Sequence, residues 1–357
     1  MRPIPSVLLA LALAMTPFAS HARTGDDVSA SVDALMRDYT GDVPGAAVLV
    51  LQDGQPLLRR GYGLADLENP APVTPATNFR LASVSKQFTA AAILLLAQDG
   101  KLSLDDPVRK WLPSLPASDD AITLRHLLTH ASGLLDYEEL MAPDYMGQVH
   151  DIDVLHMLER DDRLYFAPGS GYRYSNGGYA LLALVVGKAS GKDFATFLHE
   201  RIFAPLGMAH TVAYEQGVST VANRAYGHSL EAGRWLRTDQ SPTSAVLGDG
   251  GIYSSIDDLA KWDAALYDDR LLSDASRTDA FALHNPIHDE TDVDGYGYGW
   301  RIHGEMCWHS GETIGGRNVI LRWPERHFSV IVLTNRNDPE PYQLARRIAA
   351  LFMPETR

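Results

Sequence analysis

The sequence has a single cysteine, Cys307, in 357 residues. An internal disulfide is therefore excluded, and with it any small fold stapled by several of them. Positive charge is also scarce: Lys and Arg number 31 against 45 Asp and Glu, a formal net charge of −14. A surface of that sign repels phosphate backbones and anionic lipid, so neither nucleic acid nor a membrane surface is an expected partner. Long apolar runs are rare. Residues 7–15 (VLLALALAM) form one, but it is shorter than the about 20 residues that span a bilayer. Arg2 precedes it, Pro17 follows it, and Ser20-His21-Ala22 offers small residues around a cleavage point. Residues 1–22 thus read as a secretory signal peptide cut after Ala22, with a periplasmic or secreted protein and no membrane span left after cleavage. Cys307 lies too far from that region to carry a lipid, and export without disulfides suits a bacterial periplasmic enzyme of good size.

Several catalytic signatures are missing as well. There is no Gly-x-Ser-x-Gly elbow. There is no HExxH, because His199-Glu200 is followed by Arg201-Ile202-Phe203. Gly61-Tyr62-Gly63 lacks the third glycine of a dinucleotide fingerprint. His284 and His288 are four apart, as two metal ligands on a helix would be, but Pro286 between them argues against a regular helix. No metal site or organic cofactor is expected.

What the chain does have is a globular composition, 45% hydrophobic and 21% charged. Helical spacing over residues 27–38 leads into a hairpin signal, with β-prone residues 46–51 and 57–62 around the turn pair Asp53-Gly54. Residues 64–78 read as loop. The middle is mainly helical: residues 83–98, 123–129, 177–189, 194–202, and a helix opened at Ser255 by a capping-box-like run. Residues 298–303, 318–323 and 328–334 return to strands, and 341–352 form a closing amphipathic helix. Strands at both ends with helices between predict an α/β chain of α+β type, with one antiparallel sheet built from both ends. The expected division is a sheet domain of residues 23–80 with 285–357, a mainly helical domain of residues 81–284, and an active site between them.

Three motifs carry candidate chemistry. In Ser83-Val84-Ser85-Lys86, a helix start would put Ser83 and Lys86 on one face. Free N–H groups of the first turn would favour a developing negative charge there. A serine hydroxyl becomes a good nucleophile only when a neighbour takes its proton, and a lysine takes it only when neutral. Burial would lower its pKa from about 10.4, and the apolar run after Lys86 suits burial. Alone, the spacing fits an N-cap serine and a surface lysine equally well. Tyr174-Ser175-Asn176 follows a loop and precedes a helix. A phenol whose pKa is lowered by cations could relay a proton, and the amide could position a carbonyl, although an N-cap asparagine beside a packed tyrosine explains the same residues. His309-Ser310-Gly311 lies between two predicted strands. A cationic or neutral imidazole and a hydroxyl there could hold a carboxylate or carbonyl, and Gly311 would let the backbone come close; a solvent-exposed turn is the plainer alternative.

Taken in order, the motifs resemble the penicillin-recognising serine hydrolases: class C β-lactamases, DD-peptidases, D-aminopeptidases and related esterases. The segments FRLASVSKQFTAAAILLLAQDGKLSLDDPV, LRHLLTHASGLLDY, FAPGSGYRYSNGGYALLALVVGKASG, GDGGIYSSIDDLAKW and HSGETIGG are similar to that family in its order, over roughly residues 79–316. The resemblance implies the β-lactamase/transpeptidase-like fold. It implies Ser83 as nucleophile, Lys86 as base, Tyr174 as proton shuttle, and Asn176 with His309, Ser310 and Gly311 as substrate-binding residues. The backbone N–H groups of Ser83 and Glu312 would form the oxyanion hole. His309 stands where β-lactamases usually carry lysine, which weakens the case for β-lactam hydrolysis. His130, in LLTHASG, is expected to be structural, near a helix end and outside the site. The expected function is a serine hydrolase of amide or ester bonds acting on a small-molecule or peptide substrate, a D-amino-acid peptidase (DD-carboxypeptidase-like) or an esterase. A β-lactamase and a non-catalytic homologue that binds cell-wall peptide or another ligand are the alternatives.

Overall fold

Near-continuous apolar runs towards both ends of the chain, such as AAVLVL at 46–51 and FSVIVL at 328–333, build a sheet buried on both faces. The computed structural model describes residues 25–353; the expected signal peptide lies outside them. Strand β1 (Ala46–Gln52) and strand β2 (Gln55–Tyr62) form a hairpin around Asp53 and Gly54, both at positive φ, as a tight twisted hairpin requires. Six further strands follow late in the chain: β3 (Asn285–Pro286), β4 (Gly295–Tyr296), β5 (Arg301–His303), β6 (Met306–Thr313), β7 (Gly316–Trp323) and β8 (Phe328–Thr334). Their order is β3-β4-β5-β6-β7-β8-β1-β2, antiparallel throughout. The β8–β1 pairing, from Ala46 opposite Thr334 to Gln52 opposite Phe328, joins the two ends of the chain. This is the antiparallel sheet expected from the sequence.

The helices that frame the sheet are α1 (Gly25–Leu35), α2 (Lys86–Gln98), α3 (Asn176–Ser190), α4 (Ile256–Ala265) and α5 (Tyr342–Phe352). Ala46, Val48 and Val50 of β1 face one core with Val32, Ala345 and Ile348 of the terminal helices. Ala47, Leu49 and Leu51 face the other, with α2 and α3. Each large aliphatic side chain buried this way contributes about 1.5–3 kcal/mol. Helix α2 is buried all round from Lys86 to Leu96, so it is a central helix rather than an amphipathic surface one. Among the described residues no helix is long and apolar enough to cross a membrane.

Local structure departs from the sequence expectations in places. The helix expected from Ser83 begins as a 3-10 turn (Ala82–Ser85) and becomes α-helical only at Lys86. Strand β6 carries His309-Ser310-Gly311 within it, not between strands, because its mixed polarity comes from bordering a cleft rather than solvent. Residues 64–78 include the short strands Leu64–Asp66 and Ala71–Pro72. The helix expected over residues 194–202 ends its α-helical part at Leu198 and continues as a π-turn, His199–Phe203. Pro286 lies in strand β3, so His284 and His288 do not share a helix face.

Helix α4 is held to the sheet by a buried ion pair. Asp263 Oδ1 accepts from Arg322 Nε of β7 at 2.6 Å and from Ser329 Oγ of β8 at 2.7 Å. The two charged side chains are 2% and 0% exposed. Removing one charge strands the other in the core. Asp263→Ala is therefore expected to lower the unfolding free energy by about 3–5 kcal/mol. Asp263→Ala combined with Arg322→Met should recover most of that loss in urea titrations. A single variant as stable as wild type would rule the anchor out.

Candidate active site

The site is assembled where the turn before α2 meets strand β6. Ala82 has a φ of +49°, which turns the chain sharply ahead of Ser83. At the same place β6 comes up against the turn through backbone alone: a Cβ on Gly311 would sit 2.1 Å from the carbonyl oxygen of Leu81. Only glycine fits there. A second close approach fixes the far wall. A Cβ on Gly248 would lie 2.3 Å from the Tyr179 carbonyl oxygen, so the turn Leu247–Gly250 packs directly on α3. That turn is tied down twice more. The Asp151 carboxylate accepts from the N–H groups of Leu247 and Gly248, both at 3.0 Å, and Thr89 Oγ1 donates to the Gly248 carbonyl at 2.7 Å. Burial raises the Asp151 carboxyl to about 6 in spite of these donors.

Lys86 is the centre of this arrangement. It is fully buried at the start of α2. Its ammonium donates to Ser83 Oγ at 3.1 Å, to Asn176 Oδ1 at 2.8 Å and to the Asp249 carbonyl oxygen at 3.0 Å. Three donors meet three acceptors, from the serine turn, the first residue of α3 and the Leu247–Gly250 turn. Burial pushes the Lys86 ammonium below the ordinary lysine range; Asp249 and Glu138 oppose the shift and Arg301 adds to it. Burial likewise pushes the Asp249 carboxyl up, against the pull of Lys86. Because an ammonium cannot accept, Asn176 must turn its oxygen to Lys86, and its amide nitrogen donates to Glu138 Oε1 at 2.9 Å. The helix α3 is capped by Ser175, whose hydroxyl accepts from Gly178 N, so Asn176 is left free for Lys86.

Tyr174 stands beside this lysine, with the Lys86 Nζ 4.8 Å from its ring centre. Its hydroxyl is buried without a hydrogen-bond partner of normal geometry, and Ser83 is the neighbour that favours its ionised form. The sequence argument asks for cations that lower the phenol. Burial dominates instead and holds the Tyr174 pKa above its ordinary value, against the pull of Ser83 and Arg301. His130 is near the end of the helix Leu124–Leu128, as expected, but its ring packs 4.3 Å from that of Tyr174. It holds the tyrosine loop from both sides. Its carbonyl accepts from Arg173 N at 3.0 Å, and its Nδ1 accepts from Ser175 N at 3.1 Å.

His309 is 1% exposed and engaged at both ring nitrogens. Nδ1 lies 2.6 Å from the Ser310 carbonyl, which can only accept, so the proton is on Nδ1 and Nε2 accepts from the Tyr296 hydroxyl at 2.8 Å. Burial, with Arg301 and Lys86 nearby, holds its pKa well below the usual range. It is the neutral imidazole of the two forms considered, and it offers no charge to a carboxylate.

A cleft of about 290 Å³ opens over Ser83. Asn176 and Glu312 line it together with Arg80, Glu138 and Arg317. Ser83, Lys86, Tyr174 and Asn176 are thus brought together, Glu312 edges the cleft, and His309 lies behind it. Ser310 is half-buried and Gly311 buried in β6 between them. Glu138, Asp249 and Arg301 were not identified from the sequence. Glu138 had a weak signal in Tyr137-Glu138-Glu139, just after the LLTHASG segment; Asp249 lay in the segment GDGGIYSSIDDLAKW but was given no role, and Arg301 had no signal.

Comparison with known proteins gives this geometry a family. The Beta-lactamase family profile matches residues 30–352. The chain belongs to the Beta-lactamase family. It is a serine hydrolase of that family, with its fold. Over 325 residues it is 34% identical to penicillin-binding protein 4* of Bacillus subtilis, covering 84% of this chain and 69% of that protein. Over 335 residues it is 31% identical to a D-aminopeptidase of Gluconobacter oxydans, covering 90% of this chain and 61% of that one. The chain thus spans about two thirds of the length of these relatives. Among solved structures, the octameric penicillin-binding protein homologue from Pyrococcus abyssi superposes with a TM-score of 0.82 at 28% identity, over 92% of this chain and 77% of that one. The D-amino acid amidase from Ochrobactrum anthropi SV3, complexed with L-phenylalanine amide, superposes with a TM-score of 0.78 at 26% identity, over 92% and 98%.

The burial of Lys86 makes a direct prediction. The chain has six lysines, few enough to resolve in a spectrum of protein labelled with ¹³C-lysine. One Cε resonance should titrate below the others and vanish in Lys86→Arg. Six lysines titrating together near the free value of about 10.4 would contradict the buried network.

Proposed function

We propose that this serine hydrolase cleaves the amide or peptide bond that follows an amino-terminal D-amino acid, through an acyl-enzyme on Ser83. The observation that carries this reading is Glu138. Its carboxylate lines the cleft and accepts from Asn176, two hydrogen bonds from Lys86. An anion at that place suits a substrate ammonium. The similarity to a D-aminopeptidase and a D-amino acid amidase supports the D-configuration and the amide.

In this reading neutral Lys86 takes the proton of Ser83 Oγ, which lies within hydrogen-bond reach, as Oγ attacks the substrate carbonyl. The backbone N–H groups of Ser83 and Glu312 hold the oxyanion. Tyr174, kept protonated by burial, gives its proton to the leaving nitrogen as the C–N bond breaks and is reprotonated from Lys86. Water then attacks the ester, its proton returns through the same pair, and the acid leaves. Asn176 holds Lys86 and the substrate carbonyl in register. His309 with Ser310 and Gly311 supports the cleft edge, His309 by packing and not by charge. The sheet of residues 23–80 with 285–357 and the helical residues 81–284 form the two sides of the cleft, and the enzyme works in the periplasm or outside the cell.

A second reading, carboxypeptidase action on a D-peptide, has Arg80 and Arg317 in its favour, since both line the cleft. Arg80 already donates to the Ser244 carbonyl and Arg317 is paired with Glu312 at 2.5 Å, which makes this the weaker fit. β-Lactam hydrolysis has less still, because position 309 supplies no charge.

D-alanine p-nitroanilide should be hydrolysed by wild type and not by Ser83→Ala. Glu138→Gln should raise KM for that substrate by about 10–100-fold, the worth of a charged hydrogen bond, and leave N-acetyl-D-alanine esters within a few-fold. Faster turnover of a diacylated D-alanyl-D-alanine peptide than of the free-amine substrate would reverse the choice between the two readings.

A further inference from the structure

Position 309 gives the site no positive charge, yet a cation stands close by on the neighbouring strand. Arg301 belongs to β5 and is paired in register with Trp308, the residue before His309. Its side chain is only 14% exposed. The guanidinium carbon is 5.8 Å from the centre of the Tyr174 ring and 5.3 Å from that of Trp308. Its outer end is paired with Glu290, while its Nε is buried without a partner.

The groups around Tyr174 explain why this charge matters. Lys86 faces the ring from α2 and Ser83 from the turn before it. His130 packs on the ring at 4.3 Å, His309 lies at 6.2 Å and Tyr296 at 6.5 Å. Tyr172 and Tyr179 belong to the same cluster, and Asp249 and Glu138 act on it from farther away as anions. Both histidines are held neutral by burial, and the tyrosines are protonated. Lys86 gives up its charge in the form that accepts the serine proton. In that form Arg301 is the cation that remains beside Tyr174 among these groups.

We infer that Arg301 is the positioning cation of the Lys86–Tyr174 proton relay, supplying from β5 the positive charge that residue 309 does not. It touches neither the substrate nor the serine. When Tyr174 passes its proton to the leaving nitrogen, the phenolate that remains until Lys86 returns a proton is stabilised by this fixed charge. The same charge disfavours a proton on Lys86 and so keeps the base available. The inference rests on the Ser83–Lys86–Tyr174 reading proposed above, but not on the identity of the substrate.

The test follows Ser83 labelling by a fluorophosphonate as a function of pH, in wild type, Arg301→Met, Arg301→Lys and Glu290→Gln. The labelling rate rises as the relay loses its proton. Removing the cation should move that rise to higher pH by about one unit. Removing the anion that partly neutralises it, in Glu290→Gln, should move the rise to lower pH, and Arg301→Lys should stay near wild type. Opposite shifts from the two members of one ion pair mark a field effect, which a purely structural arginine would not produce. Should Arg301→Met fail to fold, as judged by circular dichroism, Glu290→Gln and Arg301→Lys decide alone. An unmoved profile in Glu290→Gln, or shifts in the same direction for both charge removals, overturns the inference. If wild type is not labelled at Ser83, the relay reading falls and the inference with it. If Ser83 is labelled but D-amino-acid amides are not cleaved, only the substrate assignment falls.

Discussion

A lysine ammonium buried beside a serine hydroxyl is the constraint around which the rest of this protein is arranged. An ammonium out of water is costly unless each of its protons meets an acceptor. Lys86 finds those acceptors on three separate pieces of chain: a serine in a 3-10 turn, an asparagine at the start of α3 and a carbonyl in the Leu247–Gly250 turn. Each piece has to be held in place independently. Ala82 bends the first, Ser175 caps the second, and Asp151, Thr89 and Gly248 fix the third. The sheet then supplies a wall against which the first piece rests. The burial of Thr89, Asp151, Ser175 and Asp249 is thus tied to one side chain.

The electrostatic character of the site follows from the same burial. A low-dielectric pocket that pushes Lys86 toward neutrality also pushes its neighbours toward theirs. His130 and His309 lose their protons, and Tyr174, Tyr179 and Tyr296 keep theirs. Charged side chains stand at the margins, among them Glu138 at the cleft and Arg301 beside Tyr174. Both are paired with a second group, Asn176 in one case and Glu290 in the other.

Sequence reasoning reached the architecture because the terminal strands are short β-prone apolar runs bounded by turn residues and the turn Asp53-Gly54 announces itself. It singled out Ser83, Lys86, Tyr174 and Asn176 because their motifs occur in a recognisable order along the chain, and the fold brings these four side chains together. It missed what depends on contacts between distant segments. Nothing local in Gly-Tyr-Gly-Trp-Arg says that Arg301 will turn inward beside a tyrosine 127 positions earlier. Nothing local says that His130 will grip the loop on both sides of Tyr174. Strand β6 was hard to see for another reason: it borders a cleft, so its polar residues do not alternate with apolar ones as a solvent-facing strand would. Asp249 lay in a segment that resembles the family, but the role of its carbonyl could not be read, since a backbone acceptor carries no residue type.

The contact between Gly311 and Leu81 has a consequence for how the cleft keeps its width. The two walls that flank Ser83 touch there through main chain, with no side chain as a spacer. Their separation is therefore set by van der Waals radii of backbone atoms, which substitutions elsewhere along β6 do not alter. The segments that line the outer cleft, at Tyr137 and Glu138 and at Ser241 and Thr243, are free of that restriction. A fixed gauge beside Ser83, with outer segments under no such restriction, lets one scaffold reshape the mouth of its cleft without moving the serine turn.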